Sequence, residues 1–411
     1  MQNAMTSFDV AIIGGGAAGI AAARLLAARK RSVLLIDALP RLGGRARTEV
    51  INGIPLDFGC EWLHSAERNP LAKLAEDMGF AVDHSKSAWE RSTPNLLYGT
   101  DERHEAGLAY DRFVERLHAD PPPSDRASDR LDKNDRWRPF VDALSSFING
   151  TETDDLSVAD FVAYDNASTH SNWRLIGGYG AFIASLGADL SVALSTIVTS
   201  ISHDNDIEIE TSHGKIRASA AIVTVSTAVL AAGAIRFTPA IDDHSHAASC
   251  LPLGLADKVF LSIAEPESII PETHMLGRLD RSATAGHYFR AFGRPAIECY
   301  VGGTWARSLE KAGEAEAVSF AIGELRDLLG SDFARGLSPL AVTRWGQEPS
   351  IRGSYSHALP GHAAARAVLA RPVSERLCLA GEACSPENFS TAHGAWQSGL
   401  SAADWIERHL S

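Results

Sequence analysis

Three glycines, Gly14, Gly16 and Gly19, stand at G-x-G-x-x-G spacing. This spacing lets a backbone turn tightly against a pyrophosphate and lets a following helix offer free N–H groups to it. The context fits that chemistry. Asp9-Val-Ala-Ile-Ile-Gly14 reads as a buried strand and Ile20 to Arg29 as an Ala/Leu-rich helix. Val33-Leu-Leu-Ile36 reads as a second strand, and it ends in Asp37, whose carboxylate can accept hydrogen bonds from both ribose hydroxyls. Arg41-Leu-Gly-Gly-Arg45 follows at once, and two guanidinium groups around a glycine pair suit a second phosphate clamp. Far along the chain, Leu377-Cys-Leu-Ala-Gly-Glu382 again reads as a strand ending in a glycine turn, with a helix after it. A dinucleotide cofactor held by both ends of the chain is the reading that uses all of these residues. A further group stands out between them. Lys258 heads the apolar run Val259-Phe-Leu-Ser-Ile263, and a lysine entering such a strand should not be buried without a partner.

The elements that position these residues alternate in character. Ile207-Glu-Ile-Glu-Thr alternates, Ser212-His-Gly214 turns and Lys215-Ile-Arg-Ala returns, which predicts a β-meander over Ile201 to Ile222. Ala218 to Ile235 is uncharged, but its Thr, Ser and Gly content and its alternating first half predict a buried strand plus a turn rather than a membrane span. Ala315 to Leu329 has helical spacing of apolar residues and predicts a covering helix; another is expected from about Thr391 to His409. Residues 119–135, proline-rich and charged, predict a loop. The stretch 85–176 has no readable pattern, and no internal repeat is visible.

With these motifs in this order, the chain resembles the flavin-containing amine oxidases: monoamine oxidases, polyamine oxidases and lysine-specific histone demethylases. Leu56-Asp-Phe-Gly-Cys-Glu-Trp-Leu-His64 is similar to the segment that passes the flavin ring. Gly177-Gly-Tyr-Gly180, Ala221 to Ser226 and Phe237-Thr-Pro239 resemble the return through the cofactor domain. Gly254-Leu-Ala-Asp-Lys258 resembles the strand bearing the family's active-site lysine. Arg344-Trp-Gly-Gln-Glu-Pro-Ser-Ile-Arg-Gly-Ser-Tyr355 resembles the polyamine oxidase and demethylase branch most specifically, and Ala392-His-Gly-Ala395 completes the pattern.

The resemblance implies an α/β fold: a Rossmann-like FAD-binding domain with an inserted α+β substrate-binding domain of amine oxidase type. The FAD-binding domain is expected to be discontinuous, 6–80, 177–245 and 374–411, with 81–176 and 246–373 forming the substrate-binding domain. FAD contacts are implied for Gly14, Gly16, Ala18, Gly19, Asp37, Ala38, Arg45, Gly59, Cys60, Glu61, Trp62, Val198, Trp345, Gly381, Glu382, Thr391 and Ala392. Three residues are implied in catalysis. Lys258 would hold a water near the flavin and assist oxygen reduction, and Tyr355 would form an aromatic wall that keeps the amine neutral by desolvating it. His64 would hydrogen-bond the amine or tune the pH optimum, unless it is a structural histidine. Trp62, Trp345 and Trp396 are weaker wall candidates. Glu61 and Glu298 could anchor a distal ammonium or lie at the surface.

Departures from the family sharpen these expectations. Ser354 stands where mitochondrial monoamine oxidases carry a flavin-linked cysteine, so FAD is expected to be non-covalent. Thr391 replaces the second tyrosine of the monoamine oxidase cage, and Ser226 replaces the usual proline. The chain has no room for the demethylases' helical arm or added helical domain, so histone substrates are not expected.

The implied reaction is oxidation of an amine to an imine, hydrolysed to an aldehyde or ketone plus a smaller amine, with O2 reduced to hydrogen peroxide. Polyamines and secondary amines are the first substrates to consider. An L-amino-acid oxidase would need an arginine for the substrate carboxylate, and Arg290, Arg294 and Arg344 are available. A desaturase on the same fold and a non-catalytic flavoprotein are the other readings.

Composition bounds the rest. With 411 residues, 45% hydrophobic and 22% charged, the chain can build two domains with real cores. A net charge of −13 argues against nucleic-acid binding and is compatible with a cationic amine. Cys60, Cys250, Cys299, Cys378 and Cys384 are odd in number, without metal-ligand spacing, which fits free thiols in a reducing cytoplasm and no metal. Cys378 is expected in the core. Met1 to Phe8 is polar without a signal-peptide core, and no C-terminal anchor is expected after Trp405-Ile406. Monomer and homodimer are equally compatible with the sequence.

Overall fold

A computed structural model of the chain describes residues 7–90 and 95–410. Most of the polar N-terminal stretch lies outside them. The first strand, Ser7–Ile13, is buried along most of its length and passes into a helix, Ala17–Ala28, that begins inside the glycine turn, earlier than expected. Gly14 has φ +110°, and a Cβ on Gly19 would lie 1.9 Å from Gly14 O. The first position therefore needs a glycine for its backbone conformation and the third needs one for close packing of helix on strand.

These elements belong to an eight-stranded sheet. Ser7–Ile13 lies parallel between Val33–Ile36 and Gly214–Val223. The start of Gly214–Val223 pairs with Ile207–Thr211, and Ile207–Thr211 in turn with Val198–Ser202, which is the expected meander. Its far end, Ala221 to Val223, pairs in parallel with Leu377–Leu379. Strands from both ends of the chain thus flank the same long strand. Cys378 is buried there. The uncharged stretch from Ala218 ends not in a simple turn but in a short helix, Thr227–Ala231, capped by Ser226 Oγ accepting from Val229 N. The last helix, Ala392–His409, packs along Ala17–Ala28, and Trp396 is buried in the core between them. Glycine turn and helix are not contiguous at the C-terminal strand: a 3-10 turn, Glu382–Cys384, intervenes.

A second, antiparallel sheet has the order Thr273–Leu276, Gly286–Phe289, Ala296–Gly302, Ala256–Ile263, Leu337–Val342. The expected covering helix, Glu314–Leu329, packs on it through Ala317, Ala321 and Leu325. A small three-stranded sheet pairs Trp62–His64 with Asn172–Leu175, which also pairs with Val82–Asp83. The stretch without a readable pattern folds mainly as helices, Thr100–Ala119, Arg138–Asn149 and Val158–Ala167. The proline-rich segment is mostly loop, with a 3-10 turn at Ala127–Arg130. Among the described residues no helix is long and apolar enough to cross a membrane.

Candidate active site

The cradle at the glycine turn is open in the way a phosphate group requires. Gly16 caps the first helix without a side chain, so the N–H groups of its first turn have no side-chain partner. A Cβ on Gly16 would meet nothing closer than 3.9 Å. Asp37 is buried, its Oδ2 accepting from Gly15 N at 2.5 Å and its Oδ1 from Leu39 N at 2.7 Å. Burial raises its carboxyl above the ordinary range, opposed by those two bonds. Ala38 follows it, and Val198 begins its strand as a buried residue. At the last helix, Thr391 Oγ1 accepts from Gly394 N at 3.0 Å, leaving the N–H groups of Ala392 and His393 for a ligand. Gly381 has φ +150° and open space where a Cβ would be. These residues fit a dinucleotide such as FAD.

The loops between the two cradles are fixed by side chains. Arg41 Nη1 donates to Gly44 O at 2.9 Å, while Arg45 Nη1 donates to Ser354 O at 2.5 Å and Glu382 at 2.9 Å. Glu382 also accepts from Ser356 Oγ at 2.6 Å and Ser390 N at 2.9 Å. Burial would raise Glu382, but Arg45, Arg366 and these bonds outweigh it and hold the carboxyl below the ordinary range. Ser356 Oγ further accepts from Arg366 at 3.0 Å, and Arg366 forms a buried two-point pair with Asp160 at 2.6 and 2.7 Å. Ser354 bridges to the lysine strand: its Oγ donates to Ala256 O at 2.8 Å and accepts from Ala256 N at 2.9 Å. Gly59 lies under Trp345, whose Nε1 donates to Phe58 O at 2.9 Å. Burial pushes the Cys60 thiol up to about 12.

One face of the second sheet carries the chemistry. Register pairs Lys258 with Tyr300, Phe260 with Glu298, Glu298 with Tyr288 and Tyr288 with His274. Lys258 is 4% exposed. Its Nζ donates to Asp57 O at 2.9 Å and contacts Glu61 Oε2 at 3.0 Å and Glu298 Oε1 at 3.1 Å. Burial works against its charge, but Glu298, Glu61 and Asp57 outweigh burial and raise it above the ordinary lysine value. Tyr355 O–H donates to Phe147 O at 2.5 Å and lies 2.8 Å from Tyr300 O–H, and burial raises both phenols.

His64 pairs across the small sheet with Asn172, its Nδ1 2.6 Å from Asn172 Oδ1. Burial lowers it below the ordinary histidine value, so it is neutral at neutral pH. Trp62 pairs with Arg174, which is 2% exposed and stacks 4.7 Å from the Trp62 ring and 4.3 Å from Phe292. Arg174 pairs with Asp83 at 2.9 Å and Glu272 at 2.7 Å.

The structure therefore brings Lys258, Tyr355 and Glu61 to one centre and sets Trp62 beside it through Arg174. Glu298 joins them rather than lying at the surface. Trp345 packs against the Phe58–Gly59 loop and Trp396 in the helix core. Arg290 is taken by Glu267 and Ile269 O, Arg294 by the carbonyls of Pro55 and Ile176, and Arg344 faces Glu314 at the surface. Sequence reasoning missed Arg174, Tyr288 and Tyr300. Alternation within Ala296–Gly302 puts Glu298 and Tyr300 on one face, and that signal was there to find.

A cradle built from both ends of the chain and tied through Ser354 to the strand of a buried lysine fits a flavin-dependent oxidoreductase. The sequence profile of the family described as flavin containing amine oxidoreductase matches residues 17–406. The chain is similar to polyamine oxidase 5 of Oryza sativa subsp. japonica, with 30% identity over 449 aligned positions covering 98% of this chain and 88% of that protein. It is also similar to lysine-specific histone demethylase 1 homolog 2 of the same plant, at 27% identity over 97% of this chain but 57% of that protein. A solved putrescine oxidase with putrescine bound shares the fold at a TM-score of 0.78 and 19% identity, covering 98% of this chain and 99% of that one. The chain belongs to the flavin-containing amine oxidoreductase family and is an amine-oxidising flavoenzyme.

Proposed function

We propose that the enzyme oxidises polyamines or secondary amines with non-covalently bound FAD and passes the electrons to O2. The observation that carries the substrate class is the charge on the substrate side. Five acids, Glu61, Glu298, Glu272, Asp83 and Asp57, converge there against three cations, Lys258, Arg174 and Arg294, an excess that survives protonation of one carboxyl. That excess of acid attracts a cationic amine and opposes a carboxylate. Arg174 is already matched by two acids, Arg294 is held by the carbonyls of Pro55 and Ile176, and Arg290 and Arg344 are engaged elsewhere, which counts against an amino acid as substrate.

The chemistry that bound FAD would supply is acceptance of a hydride equivalent from the carbon beside the amine nitrogen and transfer of two electrons to the acceptor. The chain's own part is to desolvate the amine against the paired Tyr355 and Tyr300, so that it arrives without its extra proton, and to keep Lys258 charged. Ser354, occupied by its two bonds to Ala256, supports non-covalent FAD. The division into a discontinuous cofactor domain and a substrate domain, and a cytoplasmic location, belong to the same reading.

A peroxide-coupled screen of spermine, spermidine, N-acetylated polyamines, monoamines, N-methyl amines and L-amino acids tests it. Peroxide with a polyamine or secondary amine is expected, and acid precipitation should leave the yellow flavin in the supernatant. Turnover confined to L-amino acids would overturn the substrate class.

A further inference from the structure

Glu61 and Glu298 both contact Lys258 Nζ, at 3.0 and 3.1 Å, so one buried ammonium holds two carboxyl groups side by side. Charge decides how many protons they hold. One ammonium between two carboxylates leaves a net negative charge in a buried site, and one proton removes it. The proton belongs on Glu298: burial and the neighbouring Glu61 raise it well above the ordinary carboxyl range, while Lys258 and Arg174 overcome burial to hold Glu61 below it. No step described above uses this proton.

We propose that Glu298 and Glu61 form a proton store that serves Lys258, and that Glu298 supplies through Lys258 Nζ the proton that O2 needs to leave as hydrogen peroxide. This rests on O2 as acceptor. The stoichiometry closes. Oxygen takes two electrons and two protons; the electrons and one proton come from reduced flavin and the second proton from Glu298. As Lys258 Nζ–H gives its proton to oxygen, Nζ takes one from the Glu298 carboxyl, so the lysine stays charged and the pair is left with two carboxylates. The next ammonium to arrive must lose one proton before its carbon can be oxidised, and that proton refills the pair. The groups facing the pair are Lys258, Asp57, Cys299, Tyr300, Tyr288 and, on the Glu61 side, Arg174 and Arg294. The Asp57 carboxylate is held by Thr48 Oγ1 and the N–H groups of Tyr179 and Gly180, so the pH dependence should be that of the pair.

The test combines infrared spectroscopy with anaerobic reduction and stopped-flow reoxidation of the FAD-loaded enzyme. Wild type should have a carboxylic-acid carbonyl band at neutral pH that disappears in Glu298→Gln. Reoxidation by O2 should slow about tenfold or more in that variant, with unchanged FAD content. In wild type it should slow as pH rises through the pair's titration, and the variant should lose that pH dependence. Glu298→Asp, which keeps a carboxyl, should restore part of the rate. Absence of the acid band in wild type overturns the proposal, and that measurement requires no variant to fold. Equal reoxidation of wild type and Glu298→Gln also overturns it. If wild-type reduced flavin fails to react with O2 while the acid band is present, the oxidase reading fails and the shared proton stands.

Discussion

Two buried charge clusters border the flavin loops, and they differ in balance. In one, Asp160 is matched by Arg366 and Glu382 by Arg45, with Ser356 between them. Each carboxylate oxygen has fixed N–H or O–H donors, and Phe389 lies 3.6 Å from the Arg366 guanidinium. In the other, Lys258 faces both Glu61 and Glu298, and neutrality requires a proton. The balanced cluster has nothing to exchange and so fixes geometry. The unbalanced one takes up a proton or a cation, which is what a site for amines needs.

The contrast can be broken most severely at the lone cation of the second cluster. Lys258→Met should slow flavin reoxidation on the order of 10²-fold while FAD content stays near normal. Stopped-flow reoxidation at the wild-type rate would remove the lysine from the chemistry. In the balanced cluster, Arg366→Met strands Asp160 and should cost about 3–5 kcal/mol of stability. Denaturant midpoints read this, and turnover per folded, flavin-loaded molecule should change far less than with Lys258→Met. An unaffected midpoint would mean that the cluster fixes nothing.

A smaller effect is expected at His64, which belongs to neither cluster. If it hydrogen-bonds the amine as a neutral ring, kcat/KM falls as pH drops through its depressed value, and His64→Asn should remove that limb. A pH profile unmoved by the substitution assigns it a structural role. Smallest per group is an acid effect on stability. Burial pushes His357 and His393 down to about 3 and His274 to about 4. Between those values and the ordinary 6.5 the unfolded chain binds protons that the folded chain refuses, so stability falls as pH falls. Each histidine contributes a slope of about 1.4 kcal/mol per pH unit. Denaturant midpoints at pH 7 and pH 5 should show it, and His357→Gln should flatten the slope by about one proton.

The cofactor side was legible in the sequence because its signals are local. Gly14, Gly16, Gly19 and Asp37 lie within one β-α-β run, and each is constrained by its own neighbours. Lys258 was legible because a charge beside an apolar run is an anomaly. Its partners were not, because the face they share is built by register across four strands. Glu298 reaches Lys258 only because its strand pairs with Ala256–Ile263 where it does. Arg174 carried no local signal, since its aromatic and acidic neighbours come from Trp62, Asp83, Glu272 and Phe292. The helices between 100 and 167 were missed for another reason. Ala106, Ala109, Phe113 and Leu117 are buried at helical spacing, but charged residues crowd the other face and mask a stripe made partly of alanine.

The close contact of the first and last helices has a consequence for how the enzyme is made. Gly399 lies so near Ala18 that a Cβ there would meet Ala18 O at 2.1 Å, and Leu377–Leu379 completes the sheet begun by Ser7–Ile13. During synthesis the phosphate turn therefore leaves the ribosome long before the strand and helix that complete its cradle. The lysine sheet has all its strands between 256 and 342 and can close earlier. A chain halted before residue 377 can thus assemble the surface that meets the amine but not the cradle, so flavin uptake reports that translation has run through the closing helix.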